Sequence, residues 1–241
     1  MERILVFTDG AAKGNPGPAG WAAIILTPDQ RVVEIGGRSP HATNHQMELT
    51  GVIEGLQRIG NLPGHVDVYS DSTYVIRGIR EWIRAWRRRG WKTVEGKDVL
   101  NRGLWERLDA LVQARGSRSI GWHYVRGHAA IPGNERADAI ATGMAAGEPV
   151  DLYRGPYAAY FVSLTDLPED SRLPERKSST ERKATAYSYL SLVDGELIRH
   201  ASWKECERRV KGKSGARFKK AMTAAEEVAI LTQWGFSPED L

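Results

Sequence analysis

The chain has 241 residues, with 34 Lys+Arg against 30 Asp+Glu, a formal net charge of +4 and a pI near 9.2. Hydrophobic residues at 41% and charged residues at 27% are a globular balance, which excludes wholesale disorder. A single cysteine, Cys206, excludes an internal disulfide and a multi-cysteine zinc cage, and apolar runs no longer than six residues fall far short of the ~20 of a membrane span.

Only four apolar residues precede Thr8, too few for a signal-peptide core, so the chain is read as soluble and cytoplasmic. The run 3–8, ending at Asp9-Gly10, predicts a strand with a turn signal. Gly14-Asn15-Pro16-Gly17-Pro18 is a rigid loop before apolar runs at 21–26 and near 31–35, so the first three strands read as an antiparallel meander. Met47, Leu49, Val52, Ile53, Leu56 and Ile59 have helical spacing over 44–59, ended by Gly60 and Pro63. A fourth strand at 66–70 precedes Asp71. Helices follow near 72–88 and 100–115, then a fifth strand at 120–125 and a last helix to about Ala146, for which Asn134 is the candidate cap. Strands first, then strands alternating with helices, predict an α/β domain over 1–150 with a five-stranded mixed sheet flanked by helices.

Residues 151–186 read as an extension and flexible linker. From Ser163 to Ala186 there is no aromatic residue, and five acidic residues cancel five basic ones. Pattern returns over 187–241. Asp194-Gly195 between two apolar runs is a hairpin signal, Ser202-x-x-Glu205 and Thr223-x-x-Glu226 are capping boxes, and 215–220 is a third strand. This gives a small α+β domain with a three-stranded antiparallel sheet and two short helices.

The net charge hides two basic clusters. Residues 77–102 carry nine basic against three acidic side chains, and residues 199–220 carry nine against two. Each is interleaved with Trp or Phe, which points to a polyanion, and among polyanions to nucleic acid.

Four carboxylates stand at comparable positions. Asp9 ends a strand, Glu48 lies in the first turn of a helix, Asp71 follows a strand, and Asp138 lies one turn into the last helix. Taken singly, each is an ordinary turn, cap or surface acid. Their surroundings, Phe7-Thr-Asp9-Gly, Thr43-Asn-His-Gln-Met-Glu48-Leu, Tyr69-Ser-Asp71-Ser and Gly133-Asn-Glu-Arg-Ala-Asp138, resemble in order and spacing the active-site blocks of ribonuclease H, bacterial type 1. Arg126-Gly-His128-Ala, ten residues before Asp138, matches that family's loop histidine. The resemblance covers 1–146. It implies the ribonuclease H-like fold and an endoribonuclease that hydrolyses the RNA strand of RNA–DNA hybrids by a two-metal-ion mechanism, leaving 3′-hydroxyl and 5′-phosphate ends. By the same resemblance Asp9, Glu48, Asp71 and Asp138 hold two Mg²⁺ ions, with Mn²⁺ a substitute. Hard divalent cations suit carboxylate oxygens. His128 is then a proton shuttle or an aid to product release. His41 and His45 lack a third soft ligand for zinc.

The segment from Trp82 through Arg87, Arg88 and Arg89 to Lys92 resembles the family's basic protrusion, whose cations contact phosphates. Trp82 is the candidate for the DNA strand and Trp86 for a buried seam. Asn15, Asn44 and Glu48 correspond to groups that read the RNA 2′-hydroxyls, and Thr43 and Asn101 to a pocket for a DNA-strand phosphate. His41 and Gln46 stand where relatives often carry Arg, which weakens that pocket. The tail, with Tyr189, Trp203, Phe218, Lys219 and Lys220, resembles the hybrid-binding (viroplasmin-like) domain found N-terminally in cellular relatives. In that role its aromatics stack and its lysines neutralise phosphates; the other role open to Trp203 and Phe218 is a miniature core. Acidic Asp194 and Glu196 occupy a hairpin that is basic in relatives. A monomer is expected. The competing readings are a catalytically silent hybrid-binding protein and an integrase-like nuclease of the same superfold.

Overall fold

The computed structural model describes residues 3–126, 130–168, 171–175 and 186–241. Among these, no helix is long and apolar enough to cross a membrane. The chain divides into two compact units, 1–173 and 174–241.

In the first unit β1 (Arg3–Ala12), β2 (Gly17–Leu26) and β3 (Arg31–Ala42) form the expected antiparallel meander. α1 (Asn44–Ile59) crosses to β4 (His65–Ser70), which lies parallel to β1 and places Tyr69 opposite Phe7. β5 (Ile120–Tyr124) extends the sheet in parallel beyond β4. A sixth strand, β6 (Arg154–Pro156), pairs with β3 at the far edge, so the order is β5-β4-β1-β2-β3-β6. The sheet thus has one strand more than the five expected. Three residues holding a Gly and a Pro carry no alternation for a sequence pattern to register.

The helix expected over 72–88 is built in three parts. α2 (Thr73–Arg77) leads into a π-helical turn at Gly78–Trp82 and then α3 (Ile83–Arg88). Gly78 lies against the ring of Trp105, where a Cβ would come within 2.0 Å. α4 (Arg102–Arg115) and α1 cover the same face of the sheet, around fully buried Leu49, Ile53, Trp105 and Leu108.

α5 (Pro132–Ala146) covers the other face, packing Ala137, Ile140 and Ala141 on Leu5, Phe7 and Ile24. It starts three residues before the sequence suggests, with Pro132 in its first turn and Ile131 as cap. Asn134 is therefore a buried residue of the first turn and not the cap. Tyr160 and Leu164, from the stretch read as extension and linker, are buried in this second core. Burying one leucine side chain contributes about 2 kcal/mol.

The second unit has the expected parts. β7 (Ser188–Val193) pairs with β8 (Glu196–His200) on one side and β9 (Arg217–Ala221) on the other, all antiparallel. Asp194 and Gly195 both have positive φ, 53° and 83°, as a tight hairpin turn requires. α6 (Trp203–Val210) starts in the Ser202/Glu205 capping box. α7 (Ala224–Trp234) starts at Thr223, which accepts from the Glu226 N–H, but the Glu226 carboxylate accepts from the Met222 N–H, so the second expected box is only half made. The small core is Leu190, Ala221, Ile230 and Leu231, with a second cluster of Val193, Cys206 and Val210.

Candidate active site

The sheet topology brings the four acids to one place. β1 and β4 run parallel and side by side with Phe7 opposite Tyr69, so Asp9, two residues farther along β1, and Asp71, just past β4, come to the same edge. Asp9-Gly10 is paired strand opposite Ala22 and Trp21, and not the turn expected. α1 reaches β1 there because residue 10 is glycine: a Cβ at Gly10 would stand 2.2 Å from the Glu48 amide nitrogen. α1 begins at Asn44, so Glu48 stands just past its first turn. Gly133 does the same for α5, since a Cβ there would fall 2.8 Å from the Phe7 ring. The result is a cleft of about 360 Å³ lined by Asp9, Glu48, Asp71, Asn134 and Asp138, with Asn44 and Glu135 at its rim.

Its electrostatics are those of crowded negative charge. Burial, then the charges of Asp71 and Asp138, push Asp9 up to about 8, against the hydrogen bond its carboxylate accepts from the Gly10 N–H at 2.7 Å. Asp71 is also raised, by burial first and then by Glu48; a hydrogen bond from the Asn134 side chain opposes that rise. Asn134 Oδ1 is itself buried without a hydrogen-bond partner. Glu48 is held from two sides, accepting from the Ser72 hydroxyl at 2.6 Å and meeting His45 Nδ1 at 3.0 Å. Asp138 is exposed. As they stand, no three carboxylate, imidazole or thiolate groups among the described residues close around one ion. The donor set is nonetheless all oxygen and strongly anionic, which suits a hard divalent cation once Glu48 turns from His45.

His45, Ser72 and Asn134 are contributors that the block reading missed. Ser72 follows a strand and opens a helix, a capping position, and its hydroxyl both accepts from the Val75 N–H and donates to Glu48. His128 lies outside the described residues.

Beside the cleft, Thr43 caps α1 through a reciprocal bond with Gln46, and Asn15 accepts from the Asn44 N–H at 3.1 Å. Asn101 adopts left-handed backbone at the start of α4 and donates to the Tyr74 hydroxyl. A row of rings continues outward: His45 stacks on Tyr74 at 4.2 Å, Tyr74 meets Trp82 at 6.1 Å, and Trp82 meets Trp86 at 5.5 Å. Trp86 also packs edge-on against buried Trp105. Arg87 is engaged with Asp109 at 2.9 Å, Arg89 donates to the Lys92 carbonyl, and Arg88 is exposed.

In the second unit Trp203 contacts Tyr189 and Phe218, at 5.9 and 5.4 Å between centroids. Trp203 and Phe218 are 40% and 50% exposed, so they are a surface cluster and not the core. Tyr189 pairs with Lys220 across the strands. Strand alternation sends Lys219 to the opposite face, where it bonds Gln233 at 2.6 Å.

Residues 1–146 match the RNase H family model. Over 149 residues the chain is 49% identical to a ribonuclease H of Thermosynechococcus vestitus, covering 61% of this chain and 91% of that one. It is also 49% identical over 139 residues to a ribonuclease HI of Caulobacter vibrioides, covering 58% and 90%. Among solved structures it resembles LC9-RNase H1, a type 1 RNase H with the type 2 active-site motif, at 28% identity and TM-score 0.56, over 67% of this chain and 82% of that one. A cleft of four carboxylates on this sheet, together with the family match over residues 1–146, shows that the chain belongs to the RNase H family.

Proposed function

We propose that this ribonuclease H is an endonuclease acting on the RNA strand of RNA–DNA hybrids in the cytoplasm, leaving 3′-hydroxyl and 5′-phosphate ends. The observation that carries the reading is the convergence of Asp9, Glu48, Asp71 and Asp138 from four separate elements on one cleft. A catalytically silent binder gains nothing from acids that raise one another's pKa.

Asp9, Glu48, Asp71 and Asp138 would hold two divalent ions, Mg²⁺ or in its place Mn²⁺. When bound, such a pair supplies a nucleophilic water, charge relief at the phosphate and a stabilised leaving oxygen. The chain's own contribution is placement. Gly10 lets Glu48 approach Asp9, Ser72 fixes the Glu48 carboxylate, and Asn134 fixes Asp71. Asp138, exposed on its helix, has room to follow the substrate. His128, which precedes α5 in the sequence, would carry a proton to or from the departing strand.

Recognition divides into two parts. Asn15, Asn44 and Glu48 stand together to read 2′-hydroxyls in the minor groove, the feature that separates RNA from DNA. Thr43 and Asn101 seat a phosphate of the DNA strand. Trp82 with Arg87, Arg88 and Arg89 extends that contact outward without reading sequence. The second unit adds hybrid affinity through Tyr189, Trp203, Phe218 and Lys220 on one face; Lys219, bonded to Gln233 on the opposite face, stands outside this footprint. One monomer carries both footprints.

The test is a gel assay on a labelled hybrid, with matched RNA duplex and DNA duplex as controls. Mg²⁺-dependent cutting of the hybrid's RNA strand alone supports the reading. Equal cutting of the DNA duplex would favour an integrase-like nuclease, and tight hybrid binding without cutting would favour a silent binder.

A further inference from the structure

Behind α5, on the side away from the cleft, lies a polar cluster inside the second core. Glu34 of β3 is buried and accepts four hydrogen bonds. Arg136 gives two in parallel, Nε at 2.7 Å and Nη2 at 2.8 Å. The Tyr153 N–H gives the third at 2.8 Å, and the Tyr160 hydroxyl gives the fourth. Arg136 also donates to the Asp151 carbonyl at 2.9 Å, and its guanidinium lies 5.1 Å from the Phe161 ring centroid. One acid thus joins β3, the helix of the catalytic cleft, and the extension over 151–161.

The helix geometry gives this cluster a mechanical meaning. Asn134 and Asp138 are four residues apart on α5 and share the face that lines the cleft. Arg136 is two residues from each, so it projects from roughly the opposite side at 100° per residue. A turn of α5 about its axis that shifts Arg136 must swing Asp138 and Asn134 the other way. A bidentate guanidinium–carboxylate pair resists that turn with more angular precision than apolar contacts do.

We propose that Glu34, Arg136 and Tyr160 are positioning residues for the reaction, and that the 151–164 extension acts as a brace setting the rotation of α5 and hence the placement of Asp138 and Asn134. This rests on the assignment of the cleft as the hydrolytic site. The extension is on this account part of the catalytic machinery and not a tether.

The experiment uses full-length Tyr160→Phe and Arg136→Lys proteins, with Val112→Ala of α4 as a control destabilised in the opposite core. Rates on a hybrid are measured against Mg²⁺ concentration well below every melting temperature, and Ca²⁺ binding is measured by calorimetry without substrate. The expected result is a kcat about 5- to 20-fold lower and weaker binding of both ions in the two brace variants, with KM for hybrid within about two-fold. Val112→Ala should lower the melting temperature alone. If the brace variants lower only the melting temperature, with kcat and ion binding as in wild type, the proposal is overturned. Should Arg136→Lys not fold, Tyr160→Phe, which loses one hydroxyl, decides alone. Absence of hybrid cleavage by wild-type protein would instead refute the site assignment, and unaltered Ca²⁺ binding in Tyr160→Phe would still refute the brace.

Discussion

Ser72 and Glu48, 24 residues apart in the chain, are joined by a hydrogen bond of 2.6 Å from hydroxyl to carboxylate. The same Ser72 oxygen accepts from the Val75 N–H at 3.2 Å, so a helix cap and an active-site carboxylate share one atom. Ser72→Ala should therefore have two effects. Loss of the cap costs about 1 kcal/mol of stability in a urea melt. Loss of the Glu48 contact should lower the hybrid cleavage rate roughly 3- to 10-fold. Unchanged rates with lowered stability would confine Ser72 to capping.

The crowded acids predict how metal-free protein responds to pH. Asp9 has an ordinary value of 3.8 when unfolded and about 8 in the fold, so the folded state holds its proton more tightly. Its contribution to stability is full below 3.8 and is lost as pH rises through about 8. Thermal melts in chelator should fall from about pH 4 to about pH 8 and level off above that, and Mg²⁺ should restore the loss. Asp9→Asn should flatten that dependence and stabilise the metal-free protein, because it removes a charge from beside Asp71 and Asp138. A melt independent of pH over this range would show that Asp9 is not held in the way its surroundings dictate.

Glu34 behaves oppositely. Although burial alone would raise it, Arg136, the Tyr153 N–H and the Tyr160 hydroxyl together hold it below 4.5. Its contribution is present above 4.5 and is lost as pH falls through the lower folded value. Glu34→Gln, which strands Arg136, should cost about 3 kcal/mol at pH 7 in denaturant melts. The gap between variant and wild type should narrow below pH 4.5. A constant gap from pH 7 to pH 3 would remove Glu34 as a source of acid sensitivity.

Much of this architecture could be read from residues, and the omissions have physical causes. The strands and helices of both units follow from periodicity and caps, as with the hairpin at Asp194-Gly195 and the box at Ser202/Glu205. The four acids were legible because each sits in a distinctive local block. What joins them was not. Ser72 to Glu48, Asn134 to Asp71 and Arg136 to Glu34 are contacts across 24, 63 and 102 residues, and no local pattern encodes such a distance. The sixth strand escaped because Arg154-Gly155-Pro156 is short and lacks alternation. Leu164, in a stretch of linker composition, is fully buried in the core that α5 shares with β1 and β2.

That burial sets where the tail can be removed. A chain ended at Leu173 keeps the whole first unit, whereas one ended at Val162 loses Leu164 and should be less stable by about 2–3 kcal/mol. The chain ended at Leu173 should cleave short hybrids at the full-length rate. On long hybrids at low salt it should bind more weakly, since the role proposed for the second unit is to add local concentration and phosphate contacts. Trp203→Ala with Phe218→Ala in the full chain should reproduce that weakening. Equal affinity of all three proteins for the long hybrid would show that the tail does not hold nucleic acid.

The most direct test compares wild type with Asp9→Asn and Asp71→Asn on a hybrid labelled in its RNA strand, in Mg²⁺, after circular dichroism and melting have shown each protein folded. Both acids line the cleft, and both are raised by burial and then by their acidic neighbours. The account predicts that wild type cuts the RNA strand to 3′-hydroxyl and 5′-phosphate ends, and that either variant loses at least about 1,000-fold in rate, more than 4 kcal/mol of transition-state stabilisation. Cleavage by either folded variant at near the wild-type rate would contradict it.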